Sequence, residues 1–180
     1  MDESRTARQL KTQMLIRMNR GRTAIPLFLA ALSDALGDTL TQDALVPLAE
    51  TDLLTQSFVD GYQAAIKDGV CRFRRLFSLN EEEVVFGIVQ RLAERLQAEV
   101  GFLIAKQSED CGAVKLPIAL LLKHAASILR LDGDSLSALS LSGTEGVLLD
   151  YNADHEAQAY EIAVWGDRWP IVALACETPG

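Results

Sequence analysis

The sequence has few of the residues that metal sites and disulfide frameworks require. Its 180 residues include only three cysteines and two histidines. Cys71, Cys111 and Cys176 are odd in number, lie far apart and have no second Cys or His at ligand spacing. This spacing indicates neither a zinc site nor a set of disulfides. We therefore expect no metal, no cofactor and a reducing, cytoplasmic location.

Common catalytic motifs are also missing. The chain has no Gly-rich phosphate-binding loop, no Gly-x-Ser-x-Gly elbow and no His-Glu-x-x-His pair. It also lacks internal repeats, low-complexity tracts and flexible linkers, so we expect a single domain over residues 1–180. An enzyme of this composition would have to work mainly with carboxylates or hydroxyls.

Targeting signals are weak. The apolar segment Ala24 to Leu32 follows a basic stretch and resembles a signal peptide if translation begins at Met18. The segment is too short to span a bilayer, and the acidic start at Asp2 and Glu3 argues against export. We expect no membrane partner.

Negative charge is in excess and unevenly placed. The formal net charge is −8. Residues 1–75 carry ten Lys or Arg against nine Asp or Glu, whereas residues 76–180 carry seven against sixteen, a local net charge of −9. Such a field repels nucleic acid and attracts a basic partner, although it also simply keeps a protein soluble.

The first 99 residues show helical periodicity. We predict helices over about Thr6 to Asn19, ended by Gly21, over Ile25 to Leu36, and over Thr51 to Lys67. The first carries an apolar stripe of Ala7, Leu10, Met14 and Met18. A short helix beginning near Thr41 and an ambiguous segment over Cys71 to Phe77 complete this part. Ser78 and Glu81 form a capping box that begins a further helix.

The period changes after Val100. A short apolar strand is followed by a turn over Ser108 to Gly112 and by one long apolar helix over Leu116 to Leu131. Short polar turns then separate the predicted antiparallel strands, which are Leu136 to Leu141, Gly146 to Asn152, Ala159 to Trp165 and a possible fourth over Trp169 to Cys176. The pattern predicts an α+β fold, with a helical N-terminal half packed on a C-terminal, mainly antiparallel sheet and one long inserted helix.

The turn between the last two alternating strands gathers one histidine and several acids. The residues that match part of an EF-hand loop are Asp150, Asn152, Asp154, Glu156 and Glu161. The sixth position is His155 and not glycine, and the flanks read as strands, so we expect no calcium. Glu161 alternates with apolar neighbours and is expected to face solvent. The same group is the best candidate for a small metal-dependent or carboxylate-based hydrolase.

Trp165, Arg168 and Trp169 bracket a tight turn next to these acids. Tryptophan and arginine frequently anchor protein interfaces, although both rings can equally well pack inside the fold. The basic residues Arg72, Arg74 and Arg75 and the cationic first helix can contact phosphates, but a solvated face or an intramolecular acidic partner fits them better. We expect His124 to be structural.

These observations favour a small acidic protein-binding module without catalytic activity. Charge complementarity suggests a bacterial immunity or antitoxin-type protein that neutralises a basic toxin. Two alternatives remain, a secretion or folding chaperone with an apolar groove and the hydrolase described above. The residues expected to contact a partner are Asp150, Asp154, His155, Glu156, Glu161, Trp165, Arg168 and Trp169.

Overall fold

The computed structural model contains both helices and strands and describes residues 3–67, 73–133, 135–153 and 158–176. In these ranges the helices are α1 (Glu3–Leu36), α2 (Leu48–Lys67), α3 (Glu82–Arg95), α4 (Ser108–Cys111), α5 (Ile118–Lys123), α6 (Ala125–Asp132) and α7 (Trp169–Ala175). The strands are β1 (Phe73–Ser78), β2 (Val100–Leu103), β3 (Val114–Pro117), β4 (Ser135–Ser140), β5 (Gly146–Ala153) and β6 (Gln158–Trp165). Single 3₁₀ turns cover Gln42–Ala44 and Leu79–Glu81.

The strands form one six-stranded sheet in the order β1-β6-β5-β4-β2-β3. Every neighbouring pair is antiparallel. The α+β fold class is therefore confirmed. The segment that was ambiguous from sequence supplies β1, an edge strand that pairs with β6 from Phe73 opposite Val164 to Ser78 opposite Ala159.

Helices cover both faces of the sheet. One face packs on α1, α3, α5, α6 and α7 through a core that includes Phe77, Leu92, Leu121, Ile162 and Trp169. The opposite face packs on α2 through a second apolar cluster of Phe58, Ala65, Ile104, Leu139 and Trp165. Because side chains alternate along a strand, the central strands β4, β5 and β6 contribute to both clusters.

The predicted capping box before α3 is confirmed. The Ser78 backbone N–H and hydroxyl both donate to Glu81 Oε2, at 2.9 Å each. A 3₁₀ turn lies between this box and α3 itself. These hydrogen bonds to Ser78 lower the pKa of the Glu81 carboxyl below its ordinary value.

The prediction that Gly21 ends the first helix is wrong. Helix α1 continues through Gly21 and Pro26 as one element of 34 residues, about 51 Å long at 1.5 Å per residue. Gly21 is buried, and a Cβ there would collide with the Asp110 backbone oxygen. The glycine therefore lets α1 approach α4 closely and does not break the helix.

The predicted helix over Leu116 to Leu131 is two helices. Leu116 and Pro117 belong to β3, and the helical part divides at His124, whose φ of −107° and ψ of 21° end α5. The Lys123 carbonyl accepts from Gln90 Nε2 on α3, while the Ser127 N–H bonds to the His124 carbonyl. A side chain from α3 thus takes the acceptor that a continuous helix would use.

Two predicted segments near turns have a different structure. The predicted possible fourth strand over Trp169 to Cys176 is instead the helix α7. Pro170 suits a first helical turn, and Trp169, Ala173 and Cys176 are buried at helical spacing. The predicted turn over Ser108 to Gly112 contains the single-turn helix α4, which Gly112 ends with a φ of 96°.

Candidate functional site

The predicted partner-binding residues do not all reach one surface. Asp154, His155 and Glu156 lie outside the described residues, so their predicted roles, and the hydrolase that depends on them, stay predictions. Asp150 and Glu161 are register partners on β5 and β6 and share the sheet face that packs on α2. Asp150 is half-buried.

Glu161 does not face solvent, and that prediction is wrong. The residue is 5% exposed because α2 covers its face of the sheet. Its Oε1 accepts from Arg74 Nε at 2.6 Å and from the Tyr62 hydroxyl at 3.2 Å. Arg74 is thus an intramolecular partner of an acidic residue, as the charge pattern favoured. A buried carboxylate of this kind joins α2, β1 and β6.

The chemistry of this cluster is that of a structural ion pair. Burial raises the pKa of the Tyr62 phenol, and the charge of Glu161 and the hydrogen bond to it raise that pKa further. Tyr62 therefore stays protonated and donates to Glu161, which is the opposite of what an activated tyrosine nucleophile or base needs.

Trp165 lies under α2 and is 4% exposed. Its ring meets Phe58 edge-on at 4.9 Å between centroids and Tyr62 at 6.0 Å. Gly61 and Gly146 border the ring so closely that a Cβ at either position would collide with it. Within the described residues the indole Nε1 has no hydrogen-bond partner. The ring therefore holds α2 to the sheet and is covered by it.

Trp169 is fully buried at the start of α7, and its neighbour Arg168 is exposed. Arg168 Nη2 lies 2.7 Å from Glu99 Oε1 and 3.6 Å from Glu145 Oε2. Glu145 Oε1 also accepts from the backbone N–H groups of Arg168 and Trp169, at 2.7 and 3.1 Å. An acceptor at this point satisfies donors that a helix N-terminus leaves open. Arg168 therefore joins the β4–β5 connection to α7.

Nucleophiles and metal ligands do not converge in the described part of the chain. No three His, Cys, Asp or Glu side chains there form a group that could hold a metal ion. Cys111 and Cys176 are buried, and burial raises the pKa of both thiols, so they stay protonated and poorly reactive. Over the same residues, the helices are too short or too polar to cross a membrane.

An uncovered apolar surface on α1 was missed by the sequence reasoning. Gly21, Phe28, Leu29 and Leu32 on α1 are buried, but towards the N-terminus the same face leaves the body of the protein. Leu10 and Met18 are 62% and 52% exposed, and Met14 between them is half-buried. We call these three residues the α1 stripe. The signal was present as helical spacing, but spacing alone does not tell a buried stripe from an exposed one.

The α1 stripe leads into an apolar groove. Met18 and Ile25 of α1 face Leu45, Pro47 and Leu48 across a cavity of about 480 Å³. Arg17 fixes the helix beside this groove: its Nη1 and Nη2 donate to the Asp52 carboxylate at 2.9 and 2.8 Å, and its Nε donates to the Glu109 carbonyl at 2.6 Å. These bonds attach α1 to α2 and α4.

Comparisons with known proteins found no matching family model, no matching curated protein and no matching solved structure.

Proposed function

We propose that this chain is a non-enzymatic protein-binding module that holds a helical segment of another protein along the α1 stripe and the groove beside it. The observation that carries this proposal is the exposure of Leu10 and Met18 on the face of α1 that is buried elsewhere in the fold. Contiguous apolar surface of this kind is uncommon on proteins that act alone. A chaperone with an apolar groove, one of the alternatives from sequence, has the same requirement.

The chemistry of the groove specifies its occupant. An amphipathic helix that lies in an apolar groove presents apolar side chains at helical spacing, so the partner segment needs an apolar face. Lys11 and Arg22 are exposed along one side of the α1 stripe. Acidic side chains beside the partner's apolar face would therefore pair with them. The proposal places the protein in the cytoplasm, with a protein partner and with neither nucleic acid nor membrane.

The test is affinity co-purification from the native cells with two matched double variants. Leu10→Gln/Met18→Gln changes the α1 stripe, and Ile16→Gln/Leu27→Gln changes two exposed apolar residues on the opposite side of the same helix. We expect one stoichiometric partner with the wild type and with the second variant, and at least a tenfold weaker capture with the first. Equal capture by both variants, or binding of α1 to anionic vesicles without a protein partner, would contradict the proposal.

A second form of the proposal is the immunity or antitoxin-type protein with a basic toxin as partner. It is supported by the net charge of −9 over residues 76–180 and by the position of Asp150 on β5. Glu161, Trp165 and Trp169 are covered in the fold, so a partner would meet Asp150, Arg168 and the residues at 154–156.

Salt and charge reversal distinguish the two forms. A basic partner should be lost at high salt, and the triple variant Asp150→Lys/Asp154→Lys/Glu156→Lys should slow its association. A partner held by the α1 stripe should survive high salt, because apolar contacts are not screened. An unchanged association rate in the triple variant would reject the acidic surface.

A further inference from the structure

A second cavity lies between α3, α6 and the paired strands β5 and β6. Its volume is about 260 Å³. Three aromatic rings line it, with one acidic and one basic side chain: Phe86, Tyr151, Tyr160, Glu82 and Arg130. The proposed partner binding at the α1 stripe does not involve these residues.

The Phe86 and Tyr151 rings each stand at a steep angle to the Tyr160 ring. The Phe86 ring is 5.9 Å from it at 73°, and the Tyr151 ring is 5.1 Å from it at 55°. Tyr151 and Tyr160 are register partners and so share one face of the sheet. Rings in such an arrangement present π-faces and edges to one small volume, which suits a positively charged group within about 6 Å of a ring centre.

Two opposite charges lie beside these rings. Burial raises the pKa of Tyr160, and the negative charge of Glu82 raises it further, so the phenol stays protonated beside Glu82. A carboxylate has about four acceptor positions, and one phenol donor leaves capacity for an ammonium group. Arg130 lines the same cavity, and its positive charge acts on the pKa of Tyr160 in the opposite direction. Among the described salt bridges, none involves Glu82 or Arg130.

We propose that this cavity binds a small zwitterion of the size of a free α-amino acid. The ammonium group of the ligand lies against the tyrosine rings and Glu82, and its carboxylate pairs with Arg130. A ligand with a single charge fits less well, because a bare cation meets Arg130 and a bare anion meets Glu82. The volume corresponds to about nine water molecules at roughly 30 Å³ each, which is below the usual range for drug-sized ligands and appropriate for a metabolite of few atoms.

The test is isothermal titration of the full chain with each proteinogenic L-amino acid and with trimethylglycine. For any ligand that binds, its amine without the carboxylate and its acid without the amine are titrated too; for leucine these are 3-methylbutylamine and 4-methylpentanoate. We expect one or more zwitterions to bind, and both single-charge analogues to bind at least about tenfold more weakly.

The cavity is then identified by matched variants. Glu82→Gln and Arg130→Gln each remove one charge from an exposed position, and each should weaken the zwitterion at least about tenfold. Glu83→Gln and Arg20→Gln make the same changes at exposed residues away from the cavity and should leave the affinity unchanged. The proposal is overturned if no zwitterion binds, if the single-charge analogues bind equally well, or if the cavity variants and the control variants behave alike. The titrations use the chain alone, so their result does not depend on whether the α1 stripe binds a protein partner.

Discussion

Two glycines in helix interiors have opposite structural roles. Gly61 in α2 faces the indole of Trp165, and a Cβ there would collide with Nε1 and lie 3.0 Å from Cδ1. Gly87 in α3 has only the flexible end of Arg91 near its missing Cβ, at 3.5 Å. Helix propensity alone favours alanine at both positions. The steric collision with Trp165 therefore makes alanine destabilising at Gly61, whereas at Gly87 helix propensity decides and alanine is stabilising.

We predict that Gly61→Ala lowers the free energy of unfolding by about 1–3 kcal/mol, since the Trp165 ring must shift in a packed layer. Gly87→Ala is the control and should raise it by up to about 1 kcal/mol. Urea denaturation monitored by tryptophan fluorescence measures both. A stabilised Gly61→Ala variant would show that the seam between α2 and the sheet is loosely packed.

Asp132 is a buried acid with partial compensation. The Lys106 backbone N–H donates to its Oδ1 at 2.6 Å and the Ser135 hydroxyl lies 3.4 Å from its Oδ2. Burial nevertheless dominates and raises the pKa of this carboxyl above its ordinary value. The folded state then holds the proton more tightly than the unfolded state does, so ionising Asp132 costs stability as pH rises.

We predict that the free-energy cost of ionising Asp132 is seen when the stability of the wild type is compared with that of the Asp132→Asn variant. From about pH 4 upward, the stability of the wild type should fall relative to the variant until the folded-state pKa is passed, and the difference should then stay constant. Urea melts at closely spaced pH values measure it. A difference that is flat, or that grows in favour of the wild type, would mean that the two hydrogen bonds outweigh burial.

At the scale of elements, α1 consists of an exposed part and a packed part. Residues 8–13 are exposed, whereas Phe28, Leu32 and Leu36 belong to the main core. Arg17 lies at the boundary, and its planar guanidinium makes three hydrogen bonds to Asp52 and Glu109. A lysine has no such fork and cannot reproduce all three.

We predict that backbone amides over residues 8–13 exchange with solvent far faster than those after residue 21. Arg17→Lys should raise the exchange rate over residues 17–20 about tenfold, because the helix loses its attachment there. Arg20→Lys, an exposed position on the same helix, is the control and should change little. Hydrogen exchange read by mass spectrometry measures both variants. Equal protection of the backbone amides from exchange along the whole of α1 would contradict the division of this helix into an exposed part and a packed part.

Elements with local signals could be predicted from sequence, and those that depend on distant contacts could not. The capping box at Ser78 and the alternation of β6 are complete within a few residues, so both were identified. The close approach that requires a glycine at position 21 is to the Asp110 carbonyl, which is 89 residues away in the chain. The burial of Glu161 depends on α2 in the same way. The candidate surfaces on α1 and around Tyr160 were missed because exposure and cavities are tertiary properties.

At the scale of the whole molecule, the sheet joins both apolar clusters. Trp165 and Leu139 belong to the cluster under α2, while Ile162, Val164 and Ala138 on the same strands belong to the main core. If the strands on which one cluster packs unfold, the apolar side chains of the other cluster also become exposed to solvent. The edge strands carry Arg74 and Arg75 on β1 and Lys115 and Pro117 on β3, residues that discourage pairing with another chain's strand.

We predict that the chain unfolds in one cooperative thermal transition. Because the two clusters share strands, the calorimetric and van't Hoff enthalpies should agree. Differential scanning calorimetry of the full chain measures both quantities. Two resolved transitions would separate the chain into two domains and contradict the single domain expected over residues 1–180.

The pairing of β1 with β6 has a consequence for synthesis on the ribosome. Phe73 and its register partner Val164 are 91 residues apart, so at about 5–20 residues per second β6 follows β1 by roughly 5–18 s. During that interval β1 cannot make the backbone hydrogen bonds that it makes in the sheet, and the side chains of Phe73 and Phe77 lack one wall of their final environment. Charged residues within an apolar strand oppose aggregation, so we expect Arg74 and Arg75 to keep the nascent chain from aggregating until β6 has been made.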